Sequence, residues 1–172
     1  IPIQQIIGFG DFDGLKIHIN SHVLIPRPET QELVALAADL ILKNASVLDL
    51  GTGSGCIALA LKNRRPDLSI TGIDSSSLAL EVATQNAGLL GLDLLFFEAD
   101  LRNEPADGLQ ADAILCNPPY ISPEECLEPE VVEFEPSMAL YAPSGDPLFY
   151  YRRALAWAQV LGANQVGFEC HR

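Results

Sequence analysis

The fold of this chain is decided by residues 46–61, which read SVLDLGTGSGCIALAL. Residues 46–50 predict a strand, the glycines after them a tight turn, and residues 56–61 the start of a helix. This succession is typical of nucleotide-binding sites, because glycines let the backbone approach a ligand and a helix N-terminus offers free N–H groups. The glycine spacing is neither that of the dinucleotide fingerprint nor that of the phosphate-binding P-loop. The turn alone therefore says little about its ligand.

Acidic side chains follow the next two predicted strands. Residues 70–74 predict a strand ending in Asp74, where a carboxylate can accept from both ribose hydroxyls of a nucleoside. Residues 94–97 predict a third strand, after which Asp100 can accept from an adenine amino group and Leu101 can cover the ring. A turn cap is an equal alternative for Asp100. The combination fits S-adenosylmethionine (AdoMet), whose methionine end needs no phosphate cradle.

A rigid tip follows the fourth predicted strand, residues 113–116. It consists of Asn117, Pro118, Pro119 and Tyr120. Each proline fixes its own φ, favours extended backbone before it and offers no N–H. The tip therefore presents an amide, exposed carbonyls and an aromatic ring at the edge where open α/β sheets bind ligands. A simple strand-ending turn is the alternative, since Asn-Pro marks turns.

The N-terminal part predicts a β-hairpin followed by a helix. An Asp-Gly dipeptide lies between two β-prone runs, residues 3–12 and 15–19, and favours a type I′ turn. Pro28 suits the first turn of the next helix, which is expected to stop at Asn44. Arg27, held between two prolines just before this helix, faces either solvent or the site.

The last third of the chain predicts a long loop, a helix and a fifth strand. Residues 122–147 are polar and rich in proline and glutamate, which indicates a loop that either forms a solvated face or covers the site. Residues 148–161 then predict an amphipathic helix, and residues 165–169 a strand. Alternation of strands and helices predicts a mostly parallel sheet with helices on both faces. The glycine turn and the residues after each strand should therefore meet at one edge.

Composition narrows the class of protein. The chain has 172 residues, 48% of them hydrophobic, which predicts one globular domain with a sizeable core. It shows neither a transmembrane run nor a signal peptide, so we expect a cytoplasmic protein. The net charge is −13 with only 10 Lys+Arg, which disfavours binding to a polyanion and favours a protein or small-molecule substrate. The two arginine pairs, 64–65 and 152–153, are predicted to be structural.

The cysteines and histidines indicate no metal site. The 4 cysteines lack a C-x-x-C pair and predict free thiols in a reducing compartment. The 3 histidines, His18, His22 and His171, have no partner at metal-ligand spacing.

Four motifs give the chain its resemblance to a known family. They are LIPRPET at 24–30, DLGTGSG at 49–55, NPPY at 117–120 and FEP at 134–136. In this order they resemble the peptide chain release factor glutamine N5-methyltransferases (the PrmC/HemK family) over essentially the whole chain. The glycine motif alone indicates a class I AdoMet-dependent methyltransferase. NPPY alone is shared with adenine-N6 and cytosine-N4 enzymes, so the proline-arginine segment is the specific part.

The resemblance implies a Rossmann-like class I methyltransferase fold and a role for each motif. Residues 1–22 would form an N-terminal hairpin, and residues 23–172 an AdoMet-dependent domain without the family's closing C-terminal strands or its N-terminal helical domain. The implied cofactor-binding residues are Gly51, Thr52, Gly53, Ser54 and Gly55 around the methionine part, Asp74 at the ribose, Asp100 and Leu101 at the adenine, and Asn117. The implied catalytic residues are Asn117, Pro118 through its carbonyl and Tyr120; Pro119 and Arg27 complete the substrate side.

The implied activity is methyl transfer from AdoMet to the side-chain nitrogen of the glutamine in a Gly-Gly-Gln motif. The implied partner is a release factor, and we expect a monomer that binds neither nucleic acid nor membrane. An amide nitrogen is a poor nucleophile because its lone pair is delocalised, so catalysis by positioning and electrostatics is expected. Two alternatives stay open: a methyltransferase for an exocyclic amine of DNA or RNA, and a truncated AdoMet-binding module without activity.

Overall fold

A computed structural model of the chain describes residues 1–122, 124, 129–143 and 146–170. The strands are β1 (Phe9–Phe12), β2 (Leu15–His18), β3 (Ser46–Leu50), β4 (Ser69–Asp74), β5 (Leu95–Glu98), β6 (Ala113–Cys116) and β7 (Gln165–Phe168). The helices are α1 (Ile3–Ile7), α2 (Thr30–Leu40), α3 (Cys56–Arg64), α4 (Ser77–Leu90), α5 (Pro129–Phe134), α6 (Ser137–Leu140) and α7 (Phe149–Leu161).

The main sheet is parallel and has the strand order β5-β4-β3-β6-β7. The strand order reverses at β3, which has β4 on one side and β6 on the other. Such a reversal opens a crevice at the carboxyl ends of the strands, where α/β sheets bind ligands. The predicted parallel α/β architecture is confirmed, and β1 and β2 form the predicted hairpin as a separate antiparallel pair.

Helices cover both faces of the sheet, as predicted. One hydrophobic cluster joins α2, α3 and α4 to the sheet and to the hairpin, and the other is built around α7. Val47 and Leu48 are neighbours in β3 yet belong to different clusters, because successive side chains of a strand point to opposite faces. Trp157 of α7 is fully buried in the second cluster.

The prediction of a strand over residues 3–12 is wrong in its first half, because residues Ile3–Ile7 form α1. Pro2 precedes this helix and Gly8 ends it in the left-handed conformation, with φ 76°. With Pro2 before it and Gly8 after it, a short helix can form here although isoleucine favours strands. The turn itself is confirmed: Asp13 and Gly14 have φ values of 51° and 74°, as a type I′ turn requires.

The prediction of a long loop over residues 122–147 is wrong for much of its described part, because α5 and α6 lie within it. The chain folds back here, since Ile121 N donates to Leu140 O and Ala142 N donates to Ile121 O. Glu124 and Glu133 are exposed, whereas Glu135 is buried. The glutamates at 125 and 128 lie outside the described residues, as do Cys126 and His171.

Both arginine pairs serve the fold, as predicted. Arg64 forms an ion pair with Asp13 in the hairpin turn, and Arg65 donates to the carbonyls that end α2. Arg152 pairs with Asp146, and Arg153 Nε donates to the carbonyl of Leu101 at 2.7 Å. None of the helices in the described part of the chain is long and apolar enough to cross a bilayer. The division of the chain at residue 22 stays a prediction.

Candidate active site

A cavity of about 520 Å³ lies at the carboxyl edge of the main sheet. This volume falls within the range of small-molecule sites. The cavity brings together most of the residues singled out in the sequence: Arg27, Gly51, Thr52, Gly53, Ser54, Asp74, Asp100, Leu101, Asn117, Pro118 and Pro119. Within the described lining, neither Gly55 nor Tyr120 is found. Gly55 instead permits close packing of α3 on α4, since a Cβ there would lie 3.2 Å from the Cβ of Ala83.

The glycine turn forms one wall of the cavity. Gly51 and Gly53 have φ values of 73° and 55°, which side chains other than glycine rarely adopt. The turn is pinned to β4, because Gly51 N and Thr52 N donate to Ile73 O at 2.8 and 2.9 Å. A Cβ on Gly51 would meet no other atom within 4 Å. The backbone of the turn is therefore open to a ligand on its cavity side.

Asp49 stabilises this turn from the protein interior. It is 1% exposed, and its Oδ2 accepts from Thr52 Oγ1 at 2.6 Å and from Ala58 N at 3.3 Å. Its Oδ1 is buried and has no partner among the residues that the structure describes. Burial raises the pKa of Asp49 to about 6, and the charge of Asp74 adds to the effect. Asp49 therefore holds the turn at the cost of a poorly solvated carboxyl group.

Asp74 lies at the end of β4 with its carboxylate in the cavity wall. Its Oδ2 accepts from Gly53 N at 2.9 Å and its Oδ1 from Ser76 N at 3.0 Å. Burial raises its pKa, against the lowering effect of these backbone bonds. Each carboxylate oxygen has two acceptor sites, so Asp74 keeps capacity for ligand hydroxyls after both backbone bonds are made.

Asp100 also lies in the cavity wall, but it already has a partner. Its oxygens accept from the backbone N–H and the guanidinium of Arg102, with Arg102 N to Asp100 Oδ1 at 2.8 Å. This hydrogen bonding lowers the pKa of Asp100. The alternative that Asp100 caps a turn is thus observed, and Arg102, which the sequence analysis did not single out, lines the cavity beside it.

The Asn-Pro-Pro tip forms another part of the cavity wall. Asn117 follows β6 directly, and its Nδ2 donates to Thr30 Oγ1 at the first residue of α2, over a long distance of 3.5 Å. Pro118 and Pro119 line the cavity. Tyr120 is half-buried next to them. The tip and the glycine turn therefore lie side by side at the ends of the neighbouring strands β6 and β3, and both line the cavity.

Glu135 ties the chain after the tip to the segment before α2. Its Oε1 accepts from Arg27 Nη2 at 2.7 Å, and its Oε2 accepts from Ile25 N at 3.3 Å. The carboxylate side chain is 1% exposed and the Arg27 side chain 37%. Gln5 of α1 donates to the carbonyl of the preceding residue, Phe134. Glu135 is therefore a buried, paired residue and does not belong to a solvated face of the glutamate-rich segment 122–147.

Several cavity residues escaped the sequence analysis. Tyr150 lines it, as does a wall formed by Pro136, Met138, Ala139, Tyr141, Ala142 and Pro143. Thr30, the last residue of the LIPRPET motif, also lines it, although the sequence assigned it no role. The FEP motif at 134–136 was the one signal that pointed to this wall. The remaining members are ordinary small or apolar residues, and only the folding back of the chain brings them to the site.

Two cysteines with free thiols, Cys56 and Cys116, line the cavity. Burial raises the pKa of Cys56 to about 12 and that of Cys116 well above its usual value, with a further contribution from the charge of Asp49. Both thiols are therefore protonated at neutral pH and are poor nucleophiles. No cluster of metal-ligating side chains occurs in the described ranges.

Comparison with known proteins gives a consistent result. Residues 30–138 match the family model described as the methyltransferase small domain. A release factor glutamine methyltransferase of Flavobacterium psychrophilum is 39% identical over 180 residues, which cover 99% of this chain and 63% of that protein. The protein of the same name from Streptococcus pneumoniae is 46% identical over 155 residues, covering 88% of this chain and 54% of that protein. The chain thus spans little more than half the length of these relatives.

Solved structures support the same fold. TrmN from Thermus thermophilus superposes with a TM-score of 0.55 at 28% identity, covering 80% of this chain and 36% of that one. A tRNA (uracil-54, C5)-methyltransferase from Pyrococcus abyssi superposes with a TM-score of 0.54 at 23% identity, covering 73% of this chain and 30% of that one. The second similarity concerns the fold alone.

Proposed function

Because this chain belongs to the methyltransferase small domain family, we propose that it transfers a methyl group from AdoMet to the side-chain nitrogen of a glutamine in a protein. The proposed acceptor is the Gly-Gly-Gln glutamine of a peptide chain release factor. This follows from similarity to two relatives named release factor glutamine methyltransferase, which are 39% and 46% identical to this chain. We further propose that the protein works as a cytoplasmic monomer. The observation that carries the proposal is the cavity, which is lined by both the glycine turn and the Asn-Pro-Pro tip.

The residues around the glycine turn fit AdoMet. The open space over Gly51 leaves room for a ligand against the backbone, and Asp74 retains acceptor capacity for two ribose hydroxyls. The described lining contains no lysine, and its arginines Arg27 and Arg102 are paired with carboxylates. A ligand without phosphates suits such a wall. When bound, AdoMet supplies a methyl group activated by a positively charged sulfur.

The tip suits an amide nitrogen as acceptor. Asn117 Oδ1 and the carbonyl of Pro118 are proposed to accept from the two N–H groups of the substrate amide. Two acceptors on these N–H groups favour a pyramidal nitrogen, whose lone pair is then available to attack the methyl carbon. Because the proton becomes acidic only as the new N–C bond forms, no strong base is required beforehand. The protein contributes positioning and fixed dipoles, and Tyr120 is proposed to pack on the amide plane.

Charge favours a protein rather than a nucleic acid as the substrate. The chain carries a net charge of −13. Each of the arginines at 64, 65, 102, 152 and 153 has a carboxylate partner within the chain. A nucleic-acid surface needs several free cations for phosphate contacts. The Arg27 side chain is 37% exposed, lines the cavity and is proposed to contact the substrate.

The test is mass spectrometry of a release factor after incubation with this protein and AdoMet. We expect one added methyl group on the glutamine of the Gly-Gly-Gln motif. Asn117→Ala should bind AdoMet nearly as well as wild type but transfer methyl roughly 10²–10³-fold more slowly, because one preorganised polar contact is lost.

Two outcomes would refute the proposal. Label from AdoMet that appears in DNA or RNA and not in the release factor would establish the exocyclic-amine alternative. Calorimetric binding of AdoMet without turnover on either substrate would establish a binding module.

A further inference from the structure

Asn117 and Glu169 follow neighbouring strands at equivalent places. β6 and β7 pair in parallel with Cys116 opposite Phe168, so that Asn117 and Glu169 are the next pair along. The pairing continues at least partly, since Glu169 N donates to Cys116 O at 3.1 Å. Side chains at paired positions of a parallel sheet point to the same face.

That face is the one covered by α2. A Cβ on Gly167 would lie 2.9 Å from Leu115 Cδ2 and 3.0 Å from Leu33 Cδ1, and Leu33 belongs to α2. Asn117 and Glu169 come two positions after Leu115 and Gly167, just past the ends of β6 and β7, and alternation of the side chains places them on this face. Thr30 lies three residues before Leu33 on the same side of α2, is 2% exposed, and receives the hydrogen bond from Asn117 Nδ2.

Glu169 carries a buried oxygen that its own neighbours leave unused. Its Oε2 has no hydrogen-bond partner in the part of the chain that the structure describes. Tyr151 donates its hydroxyl to the backbone carbonyl of Glu169 at 3.0 Å and not to the carboxylate. A buried acceptor without a donor is costly. Such an atom, in the residue that directly follows β7 at the carboxyl edge of the sheet, therefore calls for a reason.

We propose that Glu169, together with Thr30, is a positioning residue that fixes the orientation of the Asn117 side-chain amide. This inference rests on the proposed function, because it serves the acceptor role assigned there to Asn117 Oδ1. A side-chain amide can be turned by half a revolution with little change of shape, which would present Nδ2 to the substrate instead of Oδ1. An ionised carboxylate only accepts hydrogen bonds. A negative charge on this face favours the orientation in which Nδ2 points toward Glu169 and Thr30 and Oδ1 points away from them, and Thr30 Oγ1 already accepts from Nδ2 at 3.5 Å.

The arrangement also strengthens the proposed contact with the substrate. Donation by Nδ2 polarises the amide of Asn117, so its Oδ1 becomes a better acceptor. Positive charge grows on the substrate nitrogen as the N–C bond forms. A fixed negative charge behind Asn117 favours that change, and it requires no movement during the reaction.

The first test compares Glu169→Gln with Glu81→Gln, which removes a carboxylate from the exposed face of α4. The glutamine at 169 keeps the shape but offers both a donor and an acceptor, so it no longer selects one orientation of Asn117. We expect Glu169→Gln to lower kcat for methyl transfer roughly 10- to 100-fold, with AdoMet affinity and the unfolding midpoint close to those of Glu81→Gln. A kcat equal to that of Glu81→Gln would overturn the proposal.

The second test separates the hydroxyl of Thr30 from its shape. Thr30→Val should lower kcat and Thr30→Ser should restore it, because serine keeps the hydroxyl. Equal kcat values for Thr30→Val and Thr30→Ser would overturn the role of Thr30. If Glu169→Gln fails to fold, this pair still tests whether a hydrogen bond from Nδ2 sets the orientation of Asn117, and equal kcat values would overturn the proposal.

An NMR measurement tests the orientation of Asn117 without relying on activity, so its result is valid even if the proposed function is wrong. The side-chain ¹⁵N–¹H signals of Asn117, identified with Asn117→Asp, should exchange slowly with water in wild type. They should shift and exchange faster in Glu169→Gln but not in Glu81→Gln. If wild type methylates no release factor, the proposed function fails while these signals still judge the orientation of Asn117. Unchanged signals in Glu169→Gln would refute it.

Discussion

Asp49→Asn should remove a pH-dependent cost that one buried carboxyl group imposes on the native state. Asp49 is buried beneath the glycine turn, and burial raises its pKa from 3.8 to about 6. The native state therefore binds this proton more tightly than the unfolded chain does. It follows that the free energy of unfolding falls as pH rises from about 4 to about 6 and stays at the lower value above that window. An asparagine carbonyl can still accept from Thr52 Oγ1, so the substitution mainly removes the titration.

The size of the effect follows from the shift. A difference of about two pKa units corresponds to about 3 kcal/mol at about 1.4 kcal/mol per unit. About 2 kcal/mol of this falls between pH 4 and pH 7, because the group has begun to ionise in the unfolded chain at pH 4. Wild type should therefore lose about 2 kcal/mol of unfolding free energy relative to Asp49→Asn over this range.

Urea unfolding at several pH values measures this difference. Trp157 is the single tryptophan and is fully buried, so its fluorescence reports the transition. Asp93→Asn, at an exposed position, controls for the loss of one negative charge. A difference between wild type and Asp49→Asn that is independent of pH would refute the reasoning. So would a wild type that gains stability over Asp49→Asn toward neutral pH.

Three further substitutions test other parts of the site. Asp74→Ala should weaken AdoMet binding by about 1.5–3 kcal/mol, because charge-assisted bonds to the ribose are lost; calorimetry that finds unchanged affinity would contradict this role. Gly72→Ala would bring a Cβ to 2.5 Å from Phe96 Cδ1 and should cost about 1–3 kcal/mol of stability, seen as a lower urea midpoint. Glu135→Leu should cost about 1–3 kcal/mol in the same assay, because it strips Arg27 and a backbone N–H of their acceptor; an unchanged midpoint would show that the pair is dispensable.

The parts of the site that follow directly after strands could be predicted from the sequence. Glycines cluster where the backbone needs positive φ, and Asp74 and Asn117 come at the end of apolar runs. Because parallel strands all bring their carboxyl ends to one edge, their meeting in one cavity follows from topology. Local sequence patterns, together with the rule that parallel strands end at one edge of a sheet, are therefore enough to predict the positions of these residues.

The parts that depend on distant contacts could not be predicted in this way. Glu135 looks like any glutamate of a charged segment, and only its position 108 residues from Arg27 in sequence but 2.7 Å away in space reveals its burial. Residues 3–7 have the β-propensity of isoleucine, yet Pro2 and Gly8 delimit a helical turn there. In both cases, tertiary context outweighs composition.

Asn86 gives the N-terminal hairpin a consequence for ligand binding. This fully buried residue of α4 accepts from His18 N at 2.7 Å and donates both to His18 O at 3.1 Å and to Ser54 O at 2.9 Å. One side chain thus clamps the last residue of β2 to the glycine turn. Trimming the chain to a smaller methyltransferase core would leave two of these three bonds unmet inside the protein, and only the bond to Ser54 O would still hold the Asn86 side chain. The hairpin therefore helps to fix the residue that contacts the glycine turn of the cavity, although it lies outside the main sheet.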